Sequence, residues 1–144
     1  MPDSGTDQRR LAAFLPLERE AECLDAMRNV LDNVPSAYCL VLSSLDGQRL
    51  AHVSTREVNA SRLAAIIGSL CGLGETLGKE LGQTEFRDVM IQTGSGIAVV
   101  QRVPPPGQRM VLLAGVGSEA NMGIVSSQNR YCPQHIAQLC FPSR

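Results

Sequence analysis

From Asn59 to Gly82 the chain reads NASRLAAIIGSLCGLGETLGKELG, helical in period, uncharged from Leu63 to Gly74 and punctuated by five glycines. Leu63, Ile66, Leu70, Leu73, Leu77 and Leu81 recur at three- and four-residue steps, which lines one face of a helix for a core. Ala60, Ala64, Ile67, Cys71, Gly74 and Gly78 form an adjoining face of mostly small side chains. Each glycine costs a helix interior about 0.8–1.0 kcal/mol relative to alanine, so several together point to close approach of another backbone. That backbone belongs either to the chain's own sheet or to a second chain, and the second chain is the expectation.

The remaining patterns supply the rest of a small domain. Leu17, Ala21, Leu24, Met27, Leu31 and Val34 keep one apolar stripe of a helix that Pro35 ends. Ala37–Ser44 and Gln48–Ser54 are β-prone runs around Leu45-Asp46-Gly47, a hairpin. Phe86–Thr93 and Ile97–Val103 flank Gly94-Ser95-Gly96 as a second hairpin, and Arg109–Val116 is a further strand beyond the stiff Pro104-Pro105-Pro106-Gly107 connection. A last helix is expected from Glu119 toward Cys140 with Met122, Val125, Cys132, Ile136 and Leu139 as its apolar set, kinked or restarted at Pro133.

The order α-β-β-α-β-β-β-α predicts an α/β (α+β) domain with a single-layer, five-stranded antiparallel sheet flanked by helices on both faces. Its expected extent is residues 16–141, after a mobile N-terminal segment over residues 1–15 and before a short tail over 142–144. Phe86–Thr93 is expected at a sheet edge, where another copy could pair with it.

Composition narrows the function. A formal charge of −1 gives no basic field for a phosphate backbone, and three Phe, two Tyr and no Trp leave little to stack on bases, so no nucleic-acid partner is expected. No uncharged apolar run approaches the ~20 residues that span a bilayer. The start, MPDSGTDQRR, lacks the apolar core of a secretion signal, and a cytoplasmic location is expected. The five cysteines are odd in number and without a C-x-x-C pair, which suits reduced, mostly buried thiols.

Candidate chemistry is sparse. Gly115-Val116-Gly117-Ser118-Glu119-Ala120 has the G-x-G-x-x-G/A form, but no acidic residue follows Glu119 to complete a dinucleotide fingerprint, and a strand-to-helix turn is the simpler reading. Cys132, His135 and Cys140 lack the paired spacing of a structural zinc site. His52 and His135 adjoin no nucleophile signature. Asp25, Glu22, Glu75, Glu80, Glu85 and Asp88 fall where solvated faces or turns are expected. Asn59-Ala60-Ser61 reads as a helix cap rather than a glycosylation site. No intrinsic enzyme activity, cofactor or metal is expected.

The block VPSAYCLVLSSLDGQRLAHVS, then RLAAIIGSLCGLGETLG, then DVMIQTGSGIAVVQRV and RMVLLAGVGSEANMGIV, resembles the roadblock/dynein light-chain superfamily. The landmarks are the Asp46-Gly47 turn, Leu63-Ala64-Ala65 opening the second helix, Gly96 after the tight turn and Met122-Gly123. The resemblance implies a five-stranded sheet between the second helix and the first and third. It also implies a homodimer in which second helices and central strands meet across a two-fold axis, with Ala60, Ala64, Ile67, Cys71, Gly74, Gly78, Val89 and Ile91 at the interface. It implies further a non-catalytic regulator or adaptor of a small Ras-like GTPase, in an activating or recruiting role. Arg62, Arg87 and Arg102 match no catalytic finger in the family motif, so activation would reposition the GTPase's own residues. A dynein-light-chain-like scaffold without effect on nucleotide state and a small-molecule sensor are the alternatives. Pro133 and the three-proline connection depart from the family pattern.

Overall fold

The structure, a computed structural model, describes residues 3–105, 109–117 and 132–138. The chain runs β1 (Asp3–Thr6), α1 (Gln8–Leu11), a 3-10 turn (Leu17–Arg19), α2 (Glu20–Asn33), β2 (Ala37–Ser44), β3 (Arg49–Ser54), α3 (Ala60–Glu80), β4 (Asp88–Thr93), β5 (Gly96–Arg102) and β6 (Met110–Gly117), and residues 132–138 are helical. The strands form one sheet in the order β1-β3-β2-β6-β5-β4, with every neighbouring pair antiparallel. The expected helix start at Glu119, the Met122-Gly123 landmark and the tail over 142–144 lie outside the described residues.

Each hairpin follows from its turn chemistry. Gly47 takes φ +88°, which lets β2 reverse into β3, and the Ser44 hydroxyl accepts from the Gln48 N–H at 3.0 Å and pairs with the Asp46 carboxylate. α3 opens where Asn59 accepts from the Arg62 N–H at 3.0 Å. It closes at Gly82 (φ +70°), beside a bond from the Gln83 N–H to the Gly78 carbonyl at 2.8 Å.

β2 is apolar at nearly every position because both of its faces are covered. Leu40 and Leu42 point to one side with Cys23, Met27 and Val30 of α2 and with Cys132 and Ile136. Cys39 and Val41 point to the other, under Ala60, Ala64, Ile67 and Cys71 of α3. A strand between two helical layers loses the polar alternation that marks a half-exposed one.

Two expectations change. Among the described residues the sheet has six strands instead of five, and the extra one lies inside the N-terminal segment expected to be mobile over residues 1–15. DSGT carries no apolar alternation, so nothing in its pattern signals a strand; backbone pairing to β3 makes it one. Leu11 and Leu15 behind it are buried in the α2-side core, so the packed chain begins before Pro16.

Candidate interaction surface

α3 turns toward the sheet the face expected to meet a second chain. Ala60, Ala64, Ile67 and Cys71 are buried against β2, β5 and β6, with Ile67 only 1 % exposed. Leu73 at 67 % and Leu77 at 61 % point outward together with Ile66 and Leu81. Leu63 and Leu70 sit half-buried at the boundary.

The exchange of faces has a steric cause. A Cβ on Gly68 would lie 2.8 Å from Gly47 Cα and 2.9 Å from Gly47 N, so the helix rests on the β2–β3 turn backbone to backbone. Only a small-residue face permits that approach. The close partner inferred from the glycines is thus this chain's own hairpin, and the assignment of Ala60, Ala64, Ile67 and Cys71 to an interface is corrected to the core.

Gly74 and Gly78 serve a second internal contact. A Cβ on Gly74 would fall 2.5 Å from Phe86 Cδ2, and one on Gly78 would fall 3.4 Å from the Thr84 carbonyl oxygen. Phe86 packed on Gly74 brings the approach to β4 beside the C-terminal half of α3. Arg102 on β5 ties the same region by an ion pair with Glu75 of α3 at 3.1 Å. Burial pushes the Cys71 thiol up from its ordinary value, and the Arg102 charge opposes this only in part.

β4 lies at the sheet edge, as expected. Val89 sits opposite Val100 and Ile91 opposite Ala98, on the α3 side; Met90, opposite Val99, faces the other way. Val89 is half-buried, whereas Met90 and Ile91 are exposed. The strand carries neither proline nor lysine to discourage pairing along its open side. Of the residues expected at an interface, Ile91 alone is exposed, at 37 %. Ile66, Leu73, Leu77, Leu81 and Met90 join it, and the sequence signal for the outward leucines is the small face itself, the side able to come closest to another backbone.

The other candidates resolve into structure. Cys132 donates its S–H to the Ala26 carbonyl at 3.8 Å, and burial pushes its thiol up to about 12. His135 is half-exposed, while Cys140 lies outside the described residues. Gly115, Val116 and Gly117 belong to β6, and residues 118–120 of that motif are outside the described residues. His52 is buried in β3 and bonded to Asp3. Among the described residues no group of three His, Cys, Asp or Glu is placed to hold a metal, and no helix is long and apolar enough to cross a membrane. What the α3–β4 surface can do is exclude water against an apolar partner.

Comparison with solved structures places this architecture. An MglB in a tetrameric arrangement shares 19 % identity at a TM-score of 0.75, over 83 % of this chain and 88 % of its own. The gliding protein MglB of Thermus thermophilus shares 18 % at 0.75, with the same coverages of 83 % and 88 %. A Roadblock/LC7 domain from Streptomyces avermitilis shares 21 % at 0.70, over 77 % of this chain and 91 % of its own. At such identities the likeness is one of fold. No curated protein sequence matches the chain. The Roadblock/LC7 domain model matches residues 25–106, from within α2 through β5 to the proline run, and the chain belongs to that family.

Proposed function

We propose that this protein is a non-catalytic, dimeric regulator or adaptor of a small Ras-like GTPase, acting in the cytoplasm. The observation that carries the reading is the outward leucine face of α3 beside the open β4 edge, on a chain with the roadblock fold. Leu73 and Leu77 are large apolar side chains left in water, and burying each in a contact contributes about 1.5–3 kcal/mol. A two-fold contact uses one patch twice, so α3 would pack on its copy while β4 continues the sheet into the partner's β4. Gly74, Gly78 and Val89 then lie behind the contact and support it, and Ile91 takes part directly. The tetrameric arrangement of one structurally similar MglB supports self-association.

The composite surface made by two copies is where a GTPase would dock. The chain supplies no group to the reaction, and its effect is to hold the GTPase's own residues in the hydrolysing arrangement. The test is GTP hydrolysis and nucleotide release by a small Ras-like GTPase from the same organism, measured with and without the protein. A changed rate is expected; tight binding with both rates unchanged would make the protein a scaffold instead.

A further inference from the structure

The outer edge of β3 is covered by four residues that bury no large apolar side chain. β1 pairs with β3 at Asp3↔Ser54, Ser4↔Val53, Gly5↔His52 and Thr6↔Ala51. On the α3 side the Asp3 carboxylate accepts from His52 Nε2 at 3.2 Å and from the Val58 N–H at 3.4 Å. On the α2 side the Thr6 hydroxyl donates to Glu20 at 2.6 Å and Arg28 donates to the Ser4 hydroxyl at 3.4 Å.

The seat beneath this strand is chemically particular. Arg49 Nη1 stands 3.4 Å from His52 Nδ1. A guanidinium carries only donors, so Nδ1 accepts and the ring proton sits on Nε2, aimed at the carboxylate. A Cβ on Gly5 would lie 3.2 Å from His52 Cε1 and 3.4 Å from Arg49 Nη1, leaving little room for a larger residue over the imidazole. The seat therefore reads a carboxylate and, two residues later, a glycine, with small hydroxyl residues turned toward α2.

The chain behind β1 is anchored separately. Asp7 caps α1 by accepting from the Arg10 N–H at 3.1 Å, and Leu11 and Leu15 are buried. β1 can thus leave at Asp7 without moving α1. A short strand held by part-exposed polar contacts belongs to the least stable part of a fold, and the edge it uncovers is a ready template for another strand.

The geometry points to the β3 edge as a strand-docking seat, with β1 as its removable occupant in cis and, in trans, an extended segment of a partner protein carrying a carboxylate and a glycine two residues on. The complementarity is local: His52, with Arg49 behind it, supplies the donor for the strand's one carboxylate. Glu20 accepts from the hydroxyl three residues on, and Arg28, itself paired with Asp25, donates to the hydroxyl between them.

Asp3→Lys in the full chain sets an ammonium against His52 and Arg49 and releases β1. Hydrogen exchange is expected to show the β3 amides that bond to β1 opening at least tenfold faster while β6 amides are unchanged. A fluorescein-labelled peptide of residues 3–8, DSGTDQ, is expected to bind this variant at least tenfold more tightly than wild type by anisotropy. Peptides carrying Asp3→Asn or Gly5→Val are expected to lose that binding. Full-length Gly5→Val, which crowds His52 without a new charge, gives the same readouts should Asp3→Lys not fold. Unchanged β3 exchange in the folded variants, equal peptide binding to wild type and variant, no binding to a released seat, or binding that survives Gly5→Val in the peptide would each overturn the assignment.

Discussion

Two glycines one helical turn apart in α3 have opposite surroundings. A side chain at Gly68 meets the backbone of Gly47 within 3 Å, whereas nothing lies within 4 Å of a Cβ at Gly72. Gly68→Val is expected to cost about 1–3 kcal/mol, because backbone cannot rotate out of the way as a side chain can. Gly72→Ala is expected to stabilise by about 0.5–1 kcal/mol through helix propensity and a less flexible unfolded chain. Urea midpoints for the two variants check both signs. Gly74 is a poor probe of any helix pair, since a larger residue there first displaces Phe86.

Charge placed on the two faces of α3 separates folding from association. Ile67→Glu puts an unpaired carboxylate into the core under α3 and is expected to unfold the protein, at a cost of several kcal/mol. Leu73→Glu and Leu77→Glu lie mostly in water in the single chain, so they should keep the helical circular dichroism and halve the mass measured by light scattering. A Leu77→Glu protein that stays dimeric would remove the α3 face from the proposed interface. The boundaries of these elements were legible in the residues. Asn59 and Gly82 bound α3, and Ala37–Ser44 is the strand expected from its β-prone run. Which face of α3 turns inward was not legible, because an apolar stripe and a small-residue stripe can each pack on a sheet.

Across the whole molecule the buried thiols contribute to a fall of stability in alkali. Desolvation pushes Cys39 up to about 11 and Cys132 up to about 12, from an ordinary value of 9.0. The folded state therefore keeps protons that the unfolded chain releases first. The thiols' contribution is complete below pH 9 and is lost as pH rises toward those raised values. Denaturation midpoints at pH 7.5 and 10 should show the fall, and Cys132→Ala should shrink it. Cys23, Cys39, Cys71 and Cys132 are all buried, so iodoacetamide at pH 8 should leave them unmodified in the native protein, as read by mass spectrometry. At the acid end Asp3 is held below its ordinary 3.8, first by its hydrogen bond from His52 and then by that from Val58. Its contribution is present above that value and disappears as pH falls through the lower one, so β1 should loosen in acid.

The amino-acid pattern by itself determined the order of elements from α2 to β6, their turns and caps, the antiparallel sheet between helical layers and the absence of a recognisable catalytic motif. These depend on local signals: turn glycines, helical period and β-prone runs. Only the tertiary structure decided that the small face of α3 lies on the β2–β3 turn, that the leucines face outward, and that DSGT completes the sheet. Gly47 and Gly68 meet across separate elements, and β1 is held by the edge of β3 and by His52, contacts between distant parts of the chain that no window of sequence contains.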